Sequence, residues 1–225
     1  MLYILILALV LLVGPGLWAR YVLNRYNRQE YFSGNGAAFA RYALDQLQLN
    51  HVQVELTNTP DHYDPQGNII RLSQSRCGRK TLTAVVVAAH EVGHAIQDHA
   101  GYKPLQTRTR LIGTAVKIER IGAAIMMGAP VLAIITRIPA TGALMLAGGL
   151  ATLGMPVVIH LLTLPCEFDA SFKRALPLLS SGRYIPGEDI PAARRILLAC
   201  ALTYVAGSLM GLLNVWRWFR ILRRS

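Results

Sequence analysis

Two histidines and a glutamate stand together in the segment His90-Glu91-Val92-Gly93-His94. Residues four apart lie on one face of an α-helix, so both imidazoles can reach a single ion. The intervening glutamate lies about 100° around the helix axis from His90, where it can touch a metal-bound water without binding the ion itself. The spacing therefore predicts a Zn²⁺ site in which Glu91 acts as general base on that water.

The residues around this segment are apolar. Val85-Val86-Val87-Ala88-Ala89 precedes it and Ala95-Ile96 follows it. Burying three polar side chains in such a run is costly unless each has a partner, and a metal ion supplies one. The alternative is a pair of core histidines that are satisfied by hydrogen bonds alone.

A third ligand must come from elsewhere in the chain, because a catalytic zinc ion usually has three protein ligands and one open position. A histidine ten residues after His90 would fall at Ala100, so that arrangement is absent. Glu167 is preferred because it emerges directly from the uncharged run 138–165, whereas Glu119 stands among cations. The full set of candidates is Glu119, His160, Cys166, Glu167, Asp169 and Glu188.

The composition is unusually apolar: 53% of the 225 residues are hydrophobic and 16% are charged, with a mean hydropathy of +0.36. This excludes a disordered chain and a soluble nucleic-acid binder. The basic excess, 23 Lys and Arg against 12 Asp and Glu, flanks apolar runs and forms no separate basic domain. Charge in that arrangement favours membrane orientation. The three cysteines include no CxxC pair and are expected to be reduced thiols.

The expected fold class is a mainly α membrane protein with about four transmembrane helices and a small cytoplasmic α+β unit. Five segments follow from the charge pattern. They are a transmembrane anchor at 1–19, a cytoplasmic metallopeptidase unit at 20–120, a transmembrane helical hairpin at 121–165, a cytoplasmic loop with the third zinc ligand at 166–195, and a C-terminal transmembrane or interfacial helix at 196–225.

Short elements are expected around the metal site. Apolar spacing predicts helices over 37–49 and 81–100, the second of which ends at Gly101. Alternation predicts strands at Val52–Leu56 and Ile69–Leu72, forming a hairpin or a pair of edge strands. The segment Asn68–Ser73 is the expected edge along which a peptide substrate lies extended, with an ordinary paired strand as the alternative.

Longer runs of sequence resemble the YugP-type neutral zinc metallopeptidases of bacterial membranes. The resemblance is nearly end to end and is carried by Asp61-His62-Tyr63-Asp64-Pro65, Ile70-Arg71-Leu72-Ser73, residues 87–98, Gly101-Tyr102, Leu164-Pro165, Glu167-Phe168, Ala170-Ser171 and residues 201–206. It implies a membrane-bound peptidase whose small α+β unit is zincin-like, of the gluzincin type. It also implies that His90, His94 and Glu167 bind zinc and that Glu91 is the general base.

A looser similarity links the chain to membrane gluzincins with a Glu-x-x-x-Asp pattern, in which the Asp supports a zinc-binding histidine. Here the residue four after Glu167 is Ser171, so Asp169 or Asp98 could provide that support instead. Side chains that could support the ligands or contact substrate are Asp98, Asp169, Ser171, His62 and Tyr63, with Tyr102 and Tyr204 as further oxyanion donors.

The expected function is a zinc-dependent endopeptidase of the inner membrane, with its active site on the cytoplasmic side and membrane or membrane-proximal proteins as substrates. Its partners would be a polypeptide and the lipid bilayer, with no nucleic acid, and a membrane partner or a homo-oligomer is left open. The alternative is a catalytically inactive, metal-binding membrane scaffold or regulatory subunit. Transport of a small molecule is disfavoured, because His160 alone would mark a route through the spans.

Overall fold

The computed structural model describes residues 2–28, 32–136, 140–181 and 184–212, most of them helical. The α-helices, in chain order, are α1 (Leu2–Arg25), α2 (Gly36–Gln46), α3 (Gln74–Cys77), α4 (Leu82–His99), α5 (Lys103–Thr136), α6 (Ala140–Phe168), α7 (Leu176–Ser181) and α8 (Ile190–Leu212). The strands are β1 (Gln53–Thr57), β2 (His62–Asp64) and β3 (Ile69–Ser73). A π-helical segment, Asp169–Ala175, continues α6, and a 3₁₀ turn, Gly187–Asp189, leads into α8.

The three strands form one small sheet in the order β1-β3-β2. β1 runs parallel to β3, whereas β2 is antiparallel to β3 with Tyr63 opposite Ile70. The turn between β2 and β3 is held by Asp64, whose Oδ1 accepts hydrogen bonds from the backbone N–H groups of Gln66 and Gly67 at 3.0 and 3.3 Å. This sheet lies against the side of α4.

The expected hairpin between the first and last of these strands is wrong, because they pair in parallel. A connection between parallel strands needs about a dozen residues. Residues 58–68 provide this connection, and they also contain β2. As a result β3 is the central strand. Asn68–Ser73 is therefore an ordinary paired strand and not an edge, and the two edges of the sheet are β1 and β2.

Helix α4 is the centre of the fold. Its N-terminus is capped by Thr81, whose Oγ1 accepts from the backbone N–H of Ala84 at 3.1 Å, and the helix ends before Gly101, which has a φ of 63°. Every residue from Leu82 to Ala95 is buried, so α4 is enclosed on all sides by protein. Fully buried neighbours come from α2, β3, the segment after the π-helix and α8: Leu44, Ile70, Leu72, Leu179, Ile196 and Leu197.

Among the described residues, no helix is both long enough and apolar enough to cross a bilayer. The expected mainly α membrane fold with about four transmembrane helices is therefore wrong, and so is the expected multi-pass position in the inner membrane. Part of the apolar sequence fills protein core instead: Ala19 and Val22 at the end of α1, and Ile196 and Leu197 in α8, are buried around α4. A helix that is apolar on all sides has the same sequence signature whether lipid or protein surrounds it.

The two longest helices, α5 and α6, pack along each other. A Cβ added at Gly148 would lie 3.0 Å from the carbonyl oxygen of Gly122, so the two backbones approach closely there. The expected hairpin turn at 137–139 and the end of the predicted C-terminal helix, 213–225, lie outside the described residues. The five predicted segment boundaries stay predictions.

The π-helical segment approaches α4 more closely than ordinary helix packing allows. The backbone N–H of Leu176 bonds to the carbonyl of Ser171, five residues back, which marks the wider helix. A Cβ added at Gly93 would lie 2.6 Å from the carbonyl oxygen of Ala170. Glycine at position 93 therefore permits the contact that joins the end of α6 to α4.

Replacing Gly93 by alanine is expected to destabilise the protein by about 1–3 kcal/mol, because the added methyl group meets backbone that cannot rotate away. Gly128→Ala is the matched control: it lies within α5, and a Cβ there meets nothing within 4 Å. The control should keep or gain stability, by up to about 1 kcal/mol. Denaturant unfolding midpoints measure both, and equal stability of Gly93→Ala and the wild type would contradict the close contact.

Candidate metal centre

Three ligating side chains converge between α4 and the end of α6. One ligand atom from each of His90, His94 and Glu167 lies within 4.8 Å of the other two, and all three residues are buried. Oε2 of Glu167 lies 3.3 Å from Nε2 of His90 and 3.3 Å from Nε2 of His94. The two histidines come from adjacent turns of one helix, whereas the carboxylate comes from 73 residues further along the chain.

These separations fit a tetrahedral ion. Ligand atoms about 2.0–2.1 Å from a tetrahedral zinc ion lie about 3.3–3.4 Å from each other. Both distances from Glu167 to the imidazoles match that edge length. The residues present therefore suit zinc as three protein ligands with a fourth position left over.

The hydrogen bonds of Gln97 determine which nitrogen of His94 carries a proton. The side-chain amide nitrogen of Gln97 donates to the carbonyl of Cys166 at 2.9 Å and to Oδ2 of Asp169 at 2.8 Å. Its Oε1 must then face His94, with Nδ1 of that ring 3.0 Å away. Because Oε1 can only accept, Nδ1 of His94 is the donor, and Nε2 presents a lone pair to Glu167.

Ser171 has the same effect on His90. Its hydroxyl group donates to the backbone carbonyl of Leu197 at 3.2 Å, which uses its one proton. Nδ1 of His90 lies 3.0 Å from the same oxygen and must therefore donate to it. Nε2 of His90 consequently also presents a lone pair to the carboxylate. Hydrogen bonds of this kind orient metal-binding histidines and fix their tautomers.

The centre as a whole attracts a cation. With both rings neutral, two lone pairs and a carboxylate oxygen face each other inside the protein, an arrangement that a metal cation would complete. Burial opposes ionisation of Glu167, but the neighbouring His94 and His90 and the guanidinium of Arg108 outweigh it and hold the pKa of its carboxyl well below the usual range. Nη1 of Arg108, from α5, lies 2.9 Å from Oε1 of Glu167.

Glu91 lies on the same helix and is not among the converging ligand atoms. It is 4% exposed, and burial raises the pKa of its carboxyl to about 7, with His90 opposing the rise and Glu167 adding to it. A carboxyl in such surroundings can take up and release a proton near neutral pH.

Two cavities flank the centre. One of about 600 Å³ is lined by His90 and Glu91, and a smaller one of about 270 Å³ is lined by His94 and Arg108. Strand β2 reaches both, since His62 lines the larger cavity and Tyr63 the smaller. Within the described chain β2 pairs only with β3, so its other edge is available along this path.

The remaining predicted residues lie at varying distances from the centre. Asp169 contacts the metal ligands only through Gln97, and Asp98 accepts a hydrogen bond of 2.9 Å from the hydroxyl of Tyr63. The imidazole of His62 donates from Nδ1 to the carbonyl of Pro60 at 2.8 Å. Cys166 donates its thiol hydrogen to Gln97 at 3.3 Å and is not among the converging ligand atoms.

Four other candidate residues from the sequence are not seen at the centre. Glu188 is exposed in the 3₁₀ turn. The side chains of Glu119, His160 and Tyr204 lie outside those that the structure describes.

Two residues at the centre were not predicted. Gln97 is fully buried although it is polar, and it lies three residues after His94 on the same face of the helix, so its spacing could have identified it. Arg108 carries no such signal, because Arg110 and Lys117 lie near it in the same stretch of α5 and only the fold brings Arg108 to Glu167.

Comparison with known proteins agrees with this chemistry. A family described as "Putative neutral zinc metallopeptidase" matches residues 1–223. The chain is 32% identical over 217 residues to the "Putative membrane protease YugP" of Bacillus subtilis (strain 168), covering 93% of this chain and 92% of that protein. No solved structure matches the chain.

The expected resemblance and the expected zinc cofactor are thereby confirmed, the latter also by the buried trio of His90, His94 and Glu167. The two histidines of α4 and the distant glutamate form a buried group that could hold a metal ion. The chain belongs to the neutral zinc metallopeptidase family.

Proposed function

We propose that this protein is an endopeptidase that uses a zinc ion held by His90, His94 and Glu167 and a general base supplied by Glu91. The observation that carries the proposal is the convergence of three buried ligand atoms within 4.8 Å, beside a cavity that Glu91 also lines. In such a site zinc acts as a Lewis acid that polarises the substrate carbonyl and acidifies water.

Each protein group has a distinct part. Glu91 accepts a proton from the attacking water and passes it to the nitrogen of the leaving peptide. Gln97 and Ser171 keep the imidazoles in the tautomer that binds metal. Arg108 neutralises the outer oxygen of Glu167 and holds that carboxylate in place.

The substrate lies extended along β2. A peptide strand added to the outer edge of β2 would pass from the cavity beside Glu91 to the cavity beside His94. Main-chain hydrogen bonds to a strand edge bind many sequences equally, so specificity must come from side chains in the two cavities. This path replaces the one expected along Asn68–Ser73.

Glu91→Gln is expected to retain zinc and to lower cleavage of an unfolded protein substrate by about 10²–10⁴-fold, because the amide cannot accept the proton. Glu188→Gln is the matched control, since Glu188 is exposed and is not among the converging ligand atoms. Metal content by mass spectrometry and initial cleavage rates are measured on the same preparations. Wild-type rates in Glu91→Gln would remove Glu91 from the proposed role.

Glu167→Gln is expected to weaken zinc binding at least about a hundredfold, because it replaces an anionic ligand by a neutral one beside Arg108. Glu119→Gln provides the comparison, as it alters another glutamate that the sequence left open. Competition with a chromogenic chelator gives both affinities. The reverse result, with affinity lost only in Glu119→Gln, would mean that Glu167 is not the third ligand.

Ser171→Ala is expected to weaken zinc binding about tenfold while leaving the fold intact, because the hydroxyl that orients His90 is lost. Ser181→Ala removes a hydroxyl that bonds only to the carbonyl of Pro177 at 2.6 Å, and should leave the affinity unchanged. The same chelator assay applies. Equal affinities for the two variants would show that His90 needs no support from Ser171.

A further inference from the structure

An incompletely compensated cation lines the larger cavity. Arg76, on α3, is 9% exposed, and its guanidinium shares the wall of the 600 Å³ cavity with His90 and Glu91. Two of its nitrogens, Nε and Nη1, are buried without a hydrogen-bond partner. Leaving N–H donors of a buried cation without acceptors costs considerable free energy, so an arginine of this kind points to a missing partner.

The charges around Arg76 leave a positive excess. Its anionic neighbour is Asp61, whose Oδ2 lies 3.8 Å from Nε, too far for a hydrogen bond. The other oxygen of Asp61 is engaged, because Oδ1 accepts from the backbone N–H of Ser73 at 2.6 Å. Arg79 adds a second cation nearby.

The lowered pKa of Arg76 also indicates that its positive charge is incompletely compensated. Burial lowers the pKa of its guanidinium despite the opposing attraction of Asp61, and Arg79 adds to the lowering. Asp61 is therefore an insufficient counter-charge for Arg76 in this wall of the cavity. An additional anion would complete it.

We propose that Arg76 binds a carboxylate of the peptide substrate, so that the enzyme prefers chains with an acidic group close to the cleaved bond. The inference rests on the proposed function and adds to it a substrate class. A guanidinium offers a planar fork of donors that matches the two oxygens of a carboxylate, which neither an amide nor a hydroxyl group matches equally well. The position of Arg76, in the same cavity as Glu91, places this selection beside the reacting bond.

A carboxylate near the cleaved bond has two sources in a peptide: the side chain of Asp or Glu, or the C-terminus. The first source makes the enzyme an endopeptidase selective for acidic sequences, whereas the second makes it trim chains from the end. Both present the same group to Arg76. Peptides that differ only in where the carboxylate is attached distinguish the two sources.

The test uses the zinc-loaded full chain and fluorogenic peptides of one sequence in which a single Glu, or Gln in its place, occupies each position around the cleaved bond in turn. A second set carries no acidic side chain and ends in a free carboxylate or an amide. The wild type should cleave one acidic member about ten- to a hundredfold faster, in kcat/KM, than its neutral counterpart.

Arg76→Gln should reduce that ratio to about one, and Arg76→Lys should keep part of it, since a lysine retains the charge without the fork. Arg79→Gln is the matched control: it removes a neighbouring cation that does not line the cavity, and the ratio should persist. The ratio compares two substrates within one preparation, so it does not depend on how much of a variant is folded. If loss of Arg76 unfolds the chain by exposing Asp61, the double variant Asp61→Asn/Arg76→Gln removes both charges together.

A ratio near one for the wild type at every position, or a ratio that survives in Arg76→Gln, would overturn the inference while leaving the peptidase intact. If the wild type cuts no peptide, the proposed function fails, and the inference is then decided by binding. Fluorescence anisotropy with dye-labelled Glu and Gln peptides gives their affinities for the wild type and for Arg76→Gln. Tighter binding of the Glu peptide to the wild type alone supports the role of Arg76, and equal binding of the two peptides contradicts it.

Discussion

Two imidazoles and a carboxylate converge inside this protein, with Oε2 of Glu167 3.3 Å from Nε2 of each ring, and a positive charge among the three groups would stabilise them. This constraint accounts for most of the chemistry around α4. Each ring has its outer nitrogen committed to a fixed acceptor, Gln97 for His94 and Ser171 for His90, so neither can turn its proton inward. The arrangement therefore suits a divalent ion and resists relaxing into an ordinary hydrogen-bonded core.

The supporting groups form one connected network. Gln97 links His94 to the carbonyl of Cys166 and to Asp169, and these belong to the same stretch of chain that provides Glu167. Ser171 connects His90 to α8 through the carbonyl of Leu197. The π-helical segment that carries Asp169 and Ser171 can reach α4 because position 93 has no side chain. Ligand position and helix packing are thus set by the same contacts.

Local spacing was enough to predict the parts of this centre that lie on one helix. His90, Glu91 and His94 are related by helical geometry alone, and the end of α4 follows from Gly101. Glu167 was preferred because an acid rarely follows a long uncharged run, and the structure brings it to both histidines. Arg108 and the order of the strands depend on how distant segments meet, which no local pattern encodes. The four expected membrane spans are contradicted because no described helix is long and apolar enough to cross a bilayer. A run of apolar residues does not by itself distinguish burial in protein from burial in lipid.

The ligands are unevenly distributed along the chain, and this affects when the centre can exist. His94 is synthesised 73 residues before Glu167, and the hydrogen bond from Ser171 to α8 must wait until residue 197 has been made. A ribosome that has translated α4 has therefore produced two of the three candidate ligands. Contacts of such large sequence separation form late in folding. Under the proposed function, cleavage of the nascent polypeptide or its neighbours could not begin before residue 197 has been made.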